Sequence, residues 1–155
     1  MIPVTRLNHA VLFVRDLSRA VAFYRAAFGF EIVSETDGRA AFLRAKNSDN
    51  HHDLGLFATA SKSRPPLGEP GLYHLAWEVP TIEDLAAARA TLADLGALIG
   101  ESDHGATKSL YAKDPDGNEF EVMWLVPRDQ WGEHEHSAVI ERLDLERELT
   151  RYGGR

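Results

Sequence analysis

The chain repeats itself, and that restricts its fold more than any other feature. Leu7-Asn-His9-Ala-Val-Leu-Phe-Val14 and Leu72-Tyr-His74-Leu-Ala-Trp-Glu-Val79 align without gaps at an offset of 65, with leucine, histidine and valine matched in place. Each segment leads into a helical pattern. After the first, Asp16 is placed as N-cap and Gly29 as terminator, with Leu17, Ala20, Val21, Tyr24 and Phe28 on one stripe. After the second, Thr81 and Asp84 approximate a capping box ahead of an alanine-rich run to Leu95, closed by Gly96. Three strands are expected in each half, over residues 30–34, 39–45 and 52–59, then 98–102, 109–113 and 119–126. Asp37-Gly38 and Asp114-Pro-Asp-Gly117 supply turns between them.

The expected fold is therefore α+β, two βαβββ modules with mixed sheets. Residues 1–127 read as a single two-module domain: a first module over about 5–59, a linker rich in Pro, Gly and Ser over 60–71, and a second module over about 72–127. Residues 128–155 read as a C-terminal extension, partly helical. A short half cannot bury its sheet face alone, so the two sheets are expected to pair about a pseudo-twofold axis and bring equivalent positions into one cleft. His9 and His74 are equivalents by the repeat. Setting His52-Asp-Leu-Gly-Leu-Phe57 against Asn118-Glu-Phe-Glu-Val-Met123, at an offset of 66, places Gly55 opposite Glu121. Taken singly, each histidine reads as a core residue of an apolar strand. Taken as symmetry mates with Glu121, they read as two imidazoles and a carboxylate around one metal, with glycine at the fourth place. A two-His, one-carboxylate set with open positions suits non-haem Fe(II).

Composition narrows the chemistry. With no cysteine there are no disulfides, thiolate ligands or cysteine nucleophiles, so a transition-metal site must use imidazole and carboxylate. The net charge of −7 and the scattering of the 17 Lys and Arg argue against nucleic acid as a partner. No apolar run approaches the ~18 residues needed to span a bilayer, so no membrane association is expected. The N-terminal residues lack the layout of a signal peptide, and a cytoplasmic location is the expectation.

These residues resemble the vicinal oxygen chelate superfamily, which includes glyoxalase I, type I extradiol dioxygenases, and fosfomycin and bleomycin resistance proteins. The resemblance covers roughly residues 5–127. It rests on L-x-H-x-x-x-x-V twice, on Ala22-Phe-Tyr24 and Phe28-Gly-Phe30, and on Asp114-Pro-Asp-Gly-Asn-Glu-Phe-Glu121. It implies paired βαβββ modules forming a metal cleft, with His9, His74 and Glu121 as ligands. Glyoxalase I usually supplies a fourth ligand from the last strand of its first module, where this chain has Gly55. Asn50-His-His-Asp-Leu-Gly-Leu56 instead resembles the histidine-pair segment of the extradiol dioxygenases, and His104 and Tyr111 sit where that branch places a histidine and a tyrosine behind the metal ligands.

The resemblance implies a ring-cleaving dioxygenase acting on a catechol-like aromatic diol with O2. Fe(II) is the first choice of metal, with Mn(II), Ni(II) or Zn(II) as alternatives, and the assembly implied is a homodimer. His52 would then be a proton donor beside dioxygen, with His104 and Tyr111 bonding to substrate oxygens. Residue 52 does not share strand parity with residue 55, so His52 reaches the cleft only if the strand begins irregularly; Asp53 does share it. His51 and His52 also fit a plain polar strand entrance. Two other functions remain open: a glyoxalase-type lyase or isomerase using Ni(II), Co(II) or Zn(II), for which Asp53 is the available base, and a non-catalytic binding or resistance protein. In the tail, residues 139–149 have the spacing of a short amphipathic helix that docks on the sheet edge or meets a second subunit. His134 and His136 are expected in a solvated loop.

Overall fold

A computed structural model describes residues 1–63, 68–137 and 139–154; residues 64–67 of the expected linker lie outside the described residues. The chain divides into two compact units, Met1–Pro66 and Leu67–Arg155. The first unit runs β1 (Ala10–Val14), α1 (Leu17–Phe28), β2 (Glu31–Thr36), β3 (Ala40–Arg44) and β4 (Leu54–Ala58). The second runs β5 (Leu75–Glu78), α2 (Ile82–Asp94), β6 (Leu98–Asp103), β7 (Thr107–Lys113) and β8 (Glu119–Leu125), followed by two 3-10 turns and α3 (Leu145–Tyr152). The sheet orders are β1-β4-β3-β2 and β5-β8-β7-β6. In each the outer strand pairs parallel to its neighbour and the rest are antiparallel. Both units are thus βαβββ modules with mixed four-stranded sheets, as the repeat requires.

Local chemistry accounts for the elements. The Asp16 carboxylate accepts from the Arg19 amide at the start of α1, and Gly29 ends the helix in the left-handed region at φ 66°. Leu17, Ala20, Val21 and Tyr24 of its stripe are buried. At α2, Thr81 Oγ1 accepts from the Asp84 amide at 3.0 Å and donates to the Asp84 carboxylate at 2.6 Å. The capping box closes here through the two side chains, because aspartate is one methylene shorter than the usual glutamate. Asp37 and Gly38 both have positive φ, 34° and 68°, the signature of a tight turn matched to strand twist. The core of the first unit includes Leu43, Leu54 and Leu56, all at 0% exposure; truncating any of them to alanine costs about 2–5 kcal/mol.

The repeat extends to irregularities. The β2–β3 ladder slips between Ile32 and Ser34, and the β6–β7 ladder slips between Leu98 and Gly100, the same bulge at an offset of 66. The hairpins beyond it differ. Ser34 faces Phe42 and Gly100 faces Tyr111, so the offset grows from 66 to 69 across the hairpin and returns to 66 at Gly55 and Glu121. The second hairpin is three residues longer at its tip, and the next connection three residues shorter.

The tail corrects two expectations. Residues 139–149 do not form one helix: α3 begins at Leu145, where Asp144 caps the Arg147 amide. Upstream the chain is extended, and Glu141 exchanges two backbone hydrogen bonds with Asp103 on the outer edge of β6. The β6 edge offers free ladder groups, and pairing them outweighs helical spacing. His136 is exposed as expected, but His134 does not lie in a solvated loop. Residues Arg128–Gln130 and Gly132–Glu135 form 3-10 turns, and the His134 ring lies where a Cβ on Gly105 would be. Gly105 also has φ 76°, so only glycine fits.

Candidate active site

In the first unit His9 immediately precedes β1, where the Ala10 amide donates to the Asp53 carbonyl. The strand β4 starts at Leu54, so residue 52 lies outside it and strand parity does not govern its side chain. The His52 ring lies 4.5 Å from the His9 ring and 4.9 Å from that of Phe42, centroid to centroid. Burial lowers the His52 pKa, as do the neighbouring His9 and His51, so its neutral form is favoured. His51 is exposed and meets His52, nitrogen to nitrogen at 3.1 Å.

Asp53, the alternative residue by parity, turns the other way. Its carboxylate accepts from the Ala45 amide at 2.8 Å, Ser48 Oγ at 2.7 Å and Asn50 Nδ2 at 2.7 Å, closing the loop ahead of β4. Burial works to raise its pKa, but these three donors outweigh burial and hold it below the usual carboxylate range. A carboxylate so committed is poorly placed to be a free base.

Two residues that sequence reasoning passed over hold His9. Asn8 Oδ1 lies 2.8 Å from His9 Nδ1. A carboxamide oxygen only accepts, so Nδ1 carries the proton and Nε2 keeps its lone pair. Asn50 in turn takes a hydrogen bond from Asn8 Nδ2 and gives one to the Asn8 carbonyl. The only signal for Asn8 was its place inside the repeated L-x-H motif, where the second copy has Tyr73.

In the second unit, His74 Nε2 stands 3.1 Å from Glu121 Oε2, both side chains largely but not fully covered. His74 Nδ1 is buried and has no hydrogen-bond partner among the described residues. Tyr111 is the cross-strand neighbour of Glu121, and its ring meets that of His74 edge-on at 5.8 Å. Its hydroxyl lies 2.8 Å from His104 Nε2, and His104 Nδ1 lies 2.8 Å from the Val139 carbonyl. Burial raises the Tyr111 pKa, aided by the charges of Glu121 and Glu119 and by Tyr73, so it stays a neutral phenol.

The ladders test the alignment of the two halves. Gly55 pairs with Val11 and Phe42, while Glu121 pairs with Ala76 and Tyr111. Gly55 and Glu121 thus hold the same place in their sheets. A Cβ on Gly55 would meet Val11 Cγ2 at 3.3 Å and the Phe42 ring at 3.6 Å, so apolar side chains border the place where the second module has its carboxylate. Within each unit taken by itself, the described residues gather His9 with His52 and His74 with Glu121, and neither gathers three ligating side chains.

Comparison with known proteins matches residues 6–122 to the glyoxalase/bleomycin resistance protein/dioxygenase superfamily. The chain is 35% identical over 130 residues to the catechol-2,3-dioxygenase of Bacillus subtilis, covering 82% of this chain and 44% of that protein. It therefore spans less than half the length of this relative. Among solved structures, a lactoylglutathione lyase from Agrobacterium tumefaciens shares the fold at TM-score 0.61 and 24% identity, over 79% of this chain and 96% of the other. The fosfomycin resistance protein FosX of Listeria monocytogenes does so at TM-score 0.63 and 19% identity, over 82% and 98%. No helix among the described residues is long and apolar enough to cross a membrane. The chain belongs to the glyoxalase/bleomycin resistance protein/dioxygenase superfamily.

Proposed function

We propose that the protein is an extradiol-type ring-cleaving dioxygenase, acting on a catechol-like diol with O2 and one divalent metal, Fe(II) by preference. The observation that carries this is the Tyr111–His104 pair set beside His74 and Glu121. Its support from relatives is the likeness to catechol-2,3-dioxygenase.

The residues fit a metal. His74 and Glu121 bring an imidazole nitrogen and a carboxylate oxygen within 3.1 Å of each other, and His9 offers Nε2 with its other nitrogen tied down by Asn8, the usual support for a ligating histidine. In this reading His9, His74 and Glu121 are the ligands, and Gly55 leaves the fourth place to substrate. A bound Fe(II) supplies diol polarisation and an electron path to dioxygen. Tyr111, neutral and donating its proton to His104, turns its oxygen lone pairs toward a diol hydroxyl and accepts from it. His52 is the proton carrier on the first module's side, its neutral form kept by burial and by its histidine neighbours. Homodimer assembly comes from the family resemblance and is checked by light scattering.

A glyoxalase-type lyase needs a free carboxylate base in the first module, and Asp53 is engaged in its loop. Anaerobic loading with Fe(II), followed by a panel of catechols and O2, should yield yellow ring-fission products. A metal-loaded protein inert to the whole panel, or one that isomerises thiol adducts with Zn(II) or Ni(II), would overturn this reading. Tight binding without turnover, undiminished by His9→Ala, would point to a resistance protein instead.

A further inference from the structure

The C-terminal extension has no counterpart in the first module, yet midway along it Val139 lies against the residue that partners Tyr111. We infer that this segment is a positioning clamp: the Val139 carbonyl holds His104 as its Nδ1–H tautomer, so that Nε2 accepts from the Tyr111 hydroxyl. The clamp is read from the structure itself, and its bearing on catalysis rests on the proposed function.

The tautomer follows from the partners. A carbonyl oxygen only accepts, so the 2.8 Å contact between Val139 O and His104 Nδ1 requires the proton on Nδ1. In the neutral ring Nε2 is then an acceptor, and at 2.8 Å the Tyr111 hydroxyl must donate to it. With the opposite tautomer, Nδ1 and the carbonyl would face each other as two acceptors, and the Tyr111 proton would have no acceptor at His104. One main-chain oxygen therefore sets the direction of both hydrogen bonds.

The carbonyl is held in place by more than its own bond. Two residues on, Glu141 exchanges backbone bonds of 2.9 Å in both directions with Asp103, next to His104 in sequence. The Asp103 carboxylate accepts from the Gly105 amide at 2.8 Å and from Lys108 Nζ at 2.5 Å, with Arg147 at 3.4 Å. Glu148, fully buried on α3, accepts from Arg147 Nε at 2.8 Å and lies 3.7 Å from Lys108 Nζ. Lys108 itself is 4% exposed. This cluster welds α3 to the hairpin tip, since removing either partner of a buried ion pair leaves an uncompensated charge. Tyr152 packs its ring on Trp124 of β8 at 5.0 Å, and His134 covers Gly105. The tip is thus gripped on both sides of His104. The matching tip of the first module, residues 36–39, is exposed.

The test uses the full-length, metal-free protein labelled with 15N-histidine. Long-range 1H–15N spectra report the tautomer of each ring, and His104→Gln assigns the signal. The expected result is His104 with Nδ1 protonated and Nε2 bare. Replacing Ile140 by its α-hydroxy acid turns the Val139–Ile140 peptide into an ester, whose carbonyl is a weaker acceptor. It should yield a mixture of tautomers while the other histidines and the circular dichroism stay unchanged. Arg147→Met, at an exposed side chain, loosens the grip without touching the carbonyl and should speed exchange of the Nδ1 proton about tenfold. His104 found with Nε2 protonated, or a tautomer and exchange rate unmoved in both variants, overturns the clamp. Absence of ring cleavage alongside the expected spectra counts against the proposed reaction and leaves the clamp standing.

Discussion

The two modules share a strand order and pairing, and part company most sharply in one row of side chains. In the first, Val11, Gly55 and Phe42 lie side by side across three strands; in the second, the same places hold Ala76, Glu121 and Tyr111. The first row is apolar, with Val11 and the Phe42 ring on either side of the glycine. The second carries a carboxylate, a phenol and, through His104, a hydrogen-bonded path to the C-terminal extension. Position and chemistry are therefore separable: the ladder decides where a side chain stands, and single residues decide what the place can do.

The sharpest way to break this comparison is to remove the imidazole beside Glu121. His74→Ala should lower metal affinity by more than about a hundredfold, read as metal content per chain by elemental analysis. Undiminished metal would mean that the ligands lie elsewhere. Next, Tyr111→Phe should cut the rate of ring cleavage by about ten- to a hundredfold with the metal retained, because it removes only the hydroxyl that bonds to His104. A variant with full activity would make the row asymmetric in appearance alone.

A third change tries to convert one module into the other. Gly55→Glu should destabilise by about 1–3 kcal/mol, because the new side chain meets Val11 and the Phe42 ring. Adding Phe42→Ala should return part of that loss, and urea denaturation of both variants measures it. A double variant no better than the single one would show that Phe42 is not what fills the place. The smallest effect depends on pH. The folded pKa of Asp53 lies below 3.8, so its charge stabilises the fold above that value, and the stabilisation is lost as pH falls through the folded pKa. Asp53→Asn should therefore cost about 1–3 kcal/mol at pH 7, with the gap to wild type closing below about pH 3.8. A gap independent of pH would show that shape, not charge, matters there.

The repeat made the modules, both helix caps and the pairing of Gly55 with Glu121 legible from residues alone, because strand period, glycine stops and turn chemistry are local signals. What lay beyond reach was decided by individual side-chain contacts and by one distant strand edge. Nothing near Asp53 announces that its carboxylate folds back on Ser48 and Asn50. The helical spacing of residues 139–149 yielded at its first half to a free strand edge thirty-odd residues away in sequence. Asn8 was hidden because a support residue has no pattern of its own; it is known only by the atom it touches.

The unequal hairpins carry a last consequence. Between the bulge and the last strand, the second module gains three residues at the hairpin tip and gives back three in the following connection, and Glu121 still stands in Gly55's place. A parallel pair takes its register from its own ladder rather than from a tight turn, so the strand that bears Glu121 is insulated from length changes in the loops around it. The tip that grew is the one that bears His104. A duplicated ancestor lengthens one loop in this way without disturbing the frame that holds His74 and Glu121, which makes the hairpin the natural place to graft or swap segments when redesigning the protein.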